Sequence, residues 1–195
     1  MSDLAYHFVS NTLRDDRAIP PDGEWLKHGG PCVMCESGLH ASRDPFDALQ
    51  YAPGNVLCLV EVRDIVSEQD DKLVCRERMI VKRLDATDLL RRFARQCALD
   101  VAHLWDMPAV VRAYLETGDE SLRAAARAAA GAAKGLAAAA AAGAAAWYAE
   151  VAATWAAERA AEAAEAAGKA TWAAGKKKQR ERFNAMITEA FSDRN

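Results

Sequence analysis

The chain has no run of apolar residues able to carry it through a membrane. Its densest alanine stretch, Ala137 to Ala146, is weakly apolar, broken by Gly143 and flanked by charge, whereas a spanning helix needs roughly 20 strongly apolar residues. The opening Met1-Ser2-Asp3-Leu4 lacks the basic segment and apolar run of a secretory signal, so a cytoplasmic protein is expected. Cysteine is scarce and odd in number: the five are Cys32, Cys35, Cys58, Cys75 and Cys97. They lie in apolar settings such as Val56-Leu57-Cys58-Leu59-Val60 and read as reduced, buried thiols, not a disulfide framework. No strong charge of one sign is present either, the net charge being −3. Up to Asp85 there are 10 Lys and Arg against 15 Asp and Glu, and beyond it 15 against 13, a mild asymmetry that demands no polyanionic partner. The basic run Lys176 to Arg182 lacks accompanying aromatics and reads as a solvated helix face, which argues against nucleic-acid binding. Metal ligands are incomplete. Cys32-Val33-Met34-Cys35 with His40 begins a zinc spacing, but Pro45 stands where a compact knuckle would place its last cysteine, so neither metal nor cofactor is expected.

What is present changes character near Asp85. Before it, Pro, Gly, Cys and β-branched residues mix; from Leu122 to Ala174 the chain is mostly alanine. The fold class expected is α+β: a small mixed α/β domain over residues 1–85, then an Ala-rich α-helical bundle or hairpin over 86–195. In the first part, Leu4 to Ser10, Trp25-Leu26, Val33 to Cys35, Asn55 to Val62, Lys72 to Cys75 and Arg78 to Leu84 read as strands, and Asn55 to Val62 as the central one. Ser42-Arg43-Asp44-Pro45 signals a short helix start. In the second part, amphipathic helices are expected over 86–117, Ala-rich helices over 119–175 and a terminal amphipathic helix over 176–192. Alanine faces bury little area per residue, so such helices need close packing over length, with larger side chains as anchors. Trp147, Trp155 and Trp172, and Phe183, Ile187 and Phe191 on the terminal helix, are the candidate contact residues.

The most informative stretch runs from Cys35 through Gly38, His40 and Arg43 into the helix start. A glycine able to take positive φ, a histidine and a helix N-terminus stand in sequence there, so Cys35, Gly38, His40 and Arg43 are candidate ligand-site residues. The alternative is a histidine tying the loop to backbone groups.

Trp25, Cys35 to Ser42 with its Gly38-Leu39-His40-Ala41, Pro45 to Leu49, and the strand-rich run from Leu59 to Lys72 resemble a family of phage and prophage proteins. That family shares a Gly-[Phe/Leu]-His-Ala motif, often followed by Ala-rich repeats. The resemblance implies an origin and carries over no activity. A second resemblance is to ADP-ribosyltransferases of the His-Tyr-Glu type: His28-Gly29 is similar to their ribose-binding pair, Gly38-Leu39-His40 to the strand that stacks nicotinamide, and Glu77 to the catalytic glutamate. It implies an NAD-using enzyme with His28, His40, Tyr51 and Glu77 around one cleft, although His40 stands where that family has tyrosine.

With no complete catalytic set, the reading favours a non-enzymatic phage or prophage accessory protein. It would bind a host or phage protein, such as a host defence or regulatory factor. The alternatives are the NAD-using enzyme and a structural protein that oligomerises through its Ala-rich helices.

Overall fold

The computed structural model describes residues 3–13, 16–132 and 172–193. The chain divides into two units, Met1–Ala86 with Asn184–Asn195, and Thr87–Phe183.

The first unit is built on one antiparallel hairpin. The strands β4 (Val56–Glu68) and β5 (Leu73–Asp85) run side by side for 13 residues each. The β-branched and apolar run from Val56 begins β4, and the polar Gln69-Asp70-Asp71 turns the chain, with Gln69 N–H bonded to the Lys72 carbonyl. β1 (Asp3–Val9) pairs with β4, and β2 (Trp25–Lys27) and β3 (Leu39–Ala41) both pair with β5, giving the order β1-β4-β5-β2 with β3 beside β5. Ser42, just past β3, exchanges both backbone hydrogen bonds with Tyr6 of β1, at 2.8 and 2.9 Å. The sheet therefore curls from β1 through β4, β5 and β3 back to β1, and its inner face holds a core that includes Ala5, Val60, Val62, Leu73 and Ile80.

Between β3 and β4, α1 (Pro45–Leu49) starts as its sequence dictates: Asp44 Oδ1 accepts from Phe46 N–H at 2.8 Å and Pro45 occupies a position that needs no donor. The other Asp44 oxygen accepts from Asn184 Nδ2 at 2.7 Å. Phe191 stands 6.5 Å from the Tyr6 ring, and its carbonyl accepts from Lys82 Nζ at 2.8 Å.

The second unit is helical. Its described helices are α2 (Thr87–Asp100), α3 (Ala109–Thr117), α4 (Arg123–Ala132) and the first part of α5 (Trp172–Ser192), with 3-10 turns at Ala102–Leu104 and Glu120–Leu122. Gly118 ends α3 at φ 71, and Asp119 caps the following turn by accepting from Ser121 N–H at 2.9 Å. Ala94, Ala98, Ala126 and Ala130 are buried with Val111, Tyr114 and Leu115, so α2, α3 and α4 meet through methyl-sized contacts. Phe93 of α2 and Phe183 of α5 are fully buried edge to face, 5.0 Å between centroids.

Two local expectations change. Val33 to Cys35 is not a strand: Val33 pairs with Ser37 across a tight turn in which Cys35 takes φ 67. The segment 86–117, expected as amphipathic helices, is interrupted after Asp100, where α2 ends and a 3-10 turn at Ala102–Leu104 takes over. Trp147 and Trp155 lie outside the described residues, as does most of 119–175.

Candidate functional site

A cleft of about 730 Å³ opens beside β1, β3 and the start of β5. Its most telling residue is Arg78. The side chain comes from β5 opposite Leu26 of β2 and Val62 of β4, and the residue is only 6 % exposed. The guanidinium donates to the His40 backbone carbonyl. Among the described residues no carboxylate pairs with it, although it is a buried cation of the kind normally neutralised. Burial lowers its pKa to about 10, partly offset by the nearby Cys75 and Cys58, so it stays charged at neutral pH.

His7 of β1 lines the same cleft. Burial, then the charges of Arg78 and His40, push its pKa well below the usual histidine value, so it is a neutral imidazole at pH 7. The ring of His40 accepts from Cys35 N–H through Nε2 at 3.0 Å. His40 thus ties the 31–38 loop to the cleft floor, its carbonyl taking Arg78 and its ring taking Cys35.

The rim carries Tyr51 and Lys72. The Tyr51 hydroxyl bonds to Asp71 and accepts from Lys72 Nζ at 3.3 Å, and the ammonium lies 4.8 Å from the ring centroid. Burial and the Asp71 hydrogen bond raise the Tyr51 pKa, so the phenol is protonated. Arg17, Lys72 and Arg78 line the cleft against one acid, Glu36, among the described residues. A domain with an excess of acids over its whole length therefore gathers cations at this one place.

Of the residues singled out in the sequence, His28, Cys35, Gly38, His40 and Tyr51 all line the cleft. His28 bonds through Nε2 to the Pro31 carbonyl at 3.1 Å. Glu77 does not line it; its carboxylate pairs with Lys27 at 2.9 Å, next to Arg78 on a strand whose side chains alternate in direction. Arg43 stands apart, with Glu68 at 2.9 Å and Asp3 at 2.9 Å. Trp172 opens α5, and Phe183 and Ile187 are buried, whereas Phe191 lies half-buried beside Tyr6. The cysteines are all free thiols, but not all buried: Cys35 is exposed and Cys32 half-buried, because the turn at 33–37 lifts them out of the sheet. Burial raises Cys58 and Cys75 to about 11 and Cys97 to about 12, so these three are inert thiols.

Sequence reasoning missed Arg78 and His7. The available signal was an arginine directly ahead of Met79-Ile80-Val81 in a strand destined for the interior, and a histidine inside the apolar β1.

Among the described residues no group of His, Cys, Asp and Glu is placed to hold a metal, and no helix is long and apolar enough to cross a membrane.

The first unit is thus a mixed α/β domain with a cation-lined cleft in a curled antiparallel sheet. Residues 4–92, which include all five strands, match the profile of a family described as Domain of unknown function (DUF7666). No curated protein and no solved structure matches the chain.

Proposed function

We propose that this is a phage or prophage accessory protein that acts in the host cytoplasm by binding, and that the cleft around Arg78 recognises an anionic group, phosphate or carboxylate. The family match and the Gly38-Leu39-His40-Ala41 motif support the origin. The observation that carries the binding reading is Arg78, a buried guanidinium bonded to one carbonyl and paired with no described carboxylate. Burying such a charge is costly unless something compensates it, and an incoming anion does so with charge-assisted hydrogen bonds. The anion belongs to a host or phage partner or to a small molecule that the protein sequesters. The NAD-using reading has less support, because Glu77 is paired with Lys27 and does not line the cleft.

The test is isothermal titration calorimetry of the full chain with pyrophosphate. The wild type should bind, and Arg78→Gln, checked by circular dichroism for an intact fold, should bind at least tenfold more weakly. Equal affinities for the two folded proteins would remove the reading.

A further inference from the structure

The cleft is far larger than an isolated anion requires. A phosphate displaces only a few waters, each about 30 Å³ of liquid volume, whereas the cleft encloses about 730 Å³. Beyond Arg78 its walls include Leu26 and the phenol ring of Tyr51. Of the large apolar residues that the described structure leaves exposed, Tyr51 is the one that lines the cleft, and it is 49 % exposed. Its ring is not loose: Asp71 and Lys72 fix the hydroxyl, and Lys72 places an ammonium beside the ring. An aromatic face held by its hydroxyl at the lip of a cation-lined cleft is a stacking platform whose ordering precedes binding.

Resting on the anion-binding reading above, we propose that the cleft takes an anion carried on a flat aromatic body, the chemistry of a nucleotide, with the phosphate at Arg78 and the ring system against Tyr51. Stacking of a base on an aromatic side chain strengthens binding whatever the base, so the ring should tighten binding by roughly ten-fold or more over the bare anion. Lys72 gives a second positive charge near the ring for a further phosphate or the electron-rich face of a base.

The experiment compares ADP with pyrophosphate by calorimetry on the full chain, as wild type and as Tyr51→Ala. Tyr51 is a surface residue, so the variant should fold, which circular dichroism verifies. ADP should bind the wild type at least tenfold tighter than pyrophosphate, and Tyr51→Ala should erase that advantage by weakening ADP binding at least tenfold more than it weakens pyrophosphate binding. If ADP and pyrophosphate bind the wild type equally, or if Tyr51→Ala weakens both to the same degree, the aromatic part of the proposal is overturned and the anion site stands. If neither binds the wild type, both readings fall together.

Discussion

Arg78 on β5 donates its guanidinium to the backbone carbonyl of His40 on β3, so the charge at the cleft floor is aimed by the strand that carries the Gly-Leu-His-Ala motif. Each position of that motif has a physical task. Gly38 takes φ 110, Leu39 and Ala41 are buried in the core, and His40 links Arg78 through its carbonyl to the 31–38 loop through its ring. The motif is first a scaffold for Arg78 and only then a source of side-chain chemistry.

His7 predicts a pH dependence. Its folded-state pKa lies well below the ordinary value because of burial, then Arg78, then His40. Below about pH 6.5 the unfolded chain takes up a proton at this residue while the native state does not. The contribution is therefore fully present above about pH 6.5 and is lost as pH falls toward the folded-state pKa, at no more than about 1.4 kcal/mol per pH unit. Urea denaturation at pH 7.5, 6.5 and 5.5 should show a steeper acid loss for the wild type than for His7→Gln. Parallel profiles would mean that His7 titrates normally.

Gly38 predicts a steric effect. A Cβ there would lie 2.5 Å from Val74 Cγ2 and 3.1 Å from Cys32 Sγ, at a φ of 110 that other residues rarely adopt. Gly38→Ala should cost about 1–3 kcal/mol in urea denaturation, and it should weaken pyrophosphate binding because it moves the strand that aims Arg78. Gly29→Ala, where an added Cβ meets nothing within 4 Å, is the control and should leave both measurements nearly unchanged.

These residues also show how much was legible in the sequence. β1, the start of β4, the α1 cap and the closure of α3 at Gly118 were written in local chemistry: β-branched runs, an Asp-Pro start, a glycine stop. Local patterning does not encode the length of the hairpin. β4 runs on to Glu68 through Arg63 and Asp64, where Asp64 takes φ 50 and interrupts the in-and-out alternation that would mark a strand. β3 was hidden because three residues carry no period; only pairing with β5 makes Leu39–Ala41 a strand. The site was half visible for the same reason. Gly38 and His40 stood out in a turn-rich segment, whereas Arg78 becomes informative only once β5 is known to point it inward, away from any described carboxylate.

In the helical unit, Asp100 at the end of α2 receives Arg182 at 2.8 and 3.0 Å and Lys178 at 3.1 Å, both from α5. Burial works to raise the Asp100 pKa, but the hydrogen bonds from Arg182 and Lys178 outweigh it and hold the carboxyl below its usual value. Such a carboxylate stabilises the fold above the unfolded-state pKa near 4 and loses that contribution as pH falls through its folded-state value. Asp100→Asn leaves Arg182 half-buried without its bidentate acceptor, at a cost of about 1–2 kcal/mol once solvent screening is allowed for. Chemical denaturation of the full chain should show that deficit at pH 7 and its narrowing as pH falls below about 4 toward the folded-state pKa. A deficit that does not narrow at all on acidification below about pH 4, where the unfolded chain takes up the proton, would assign the loss to packing around α2 and α5 and not to the ion pair.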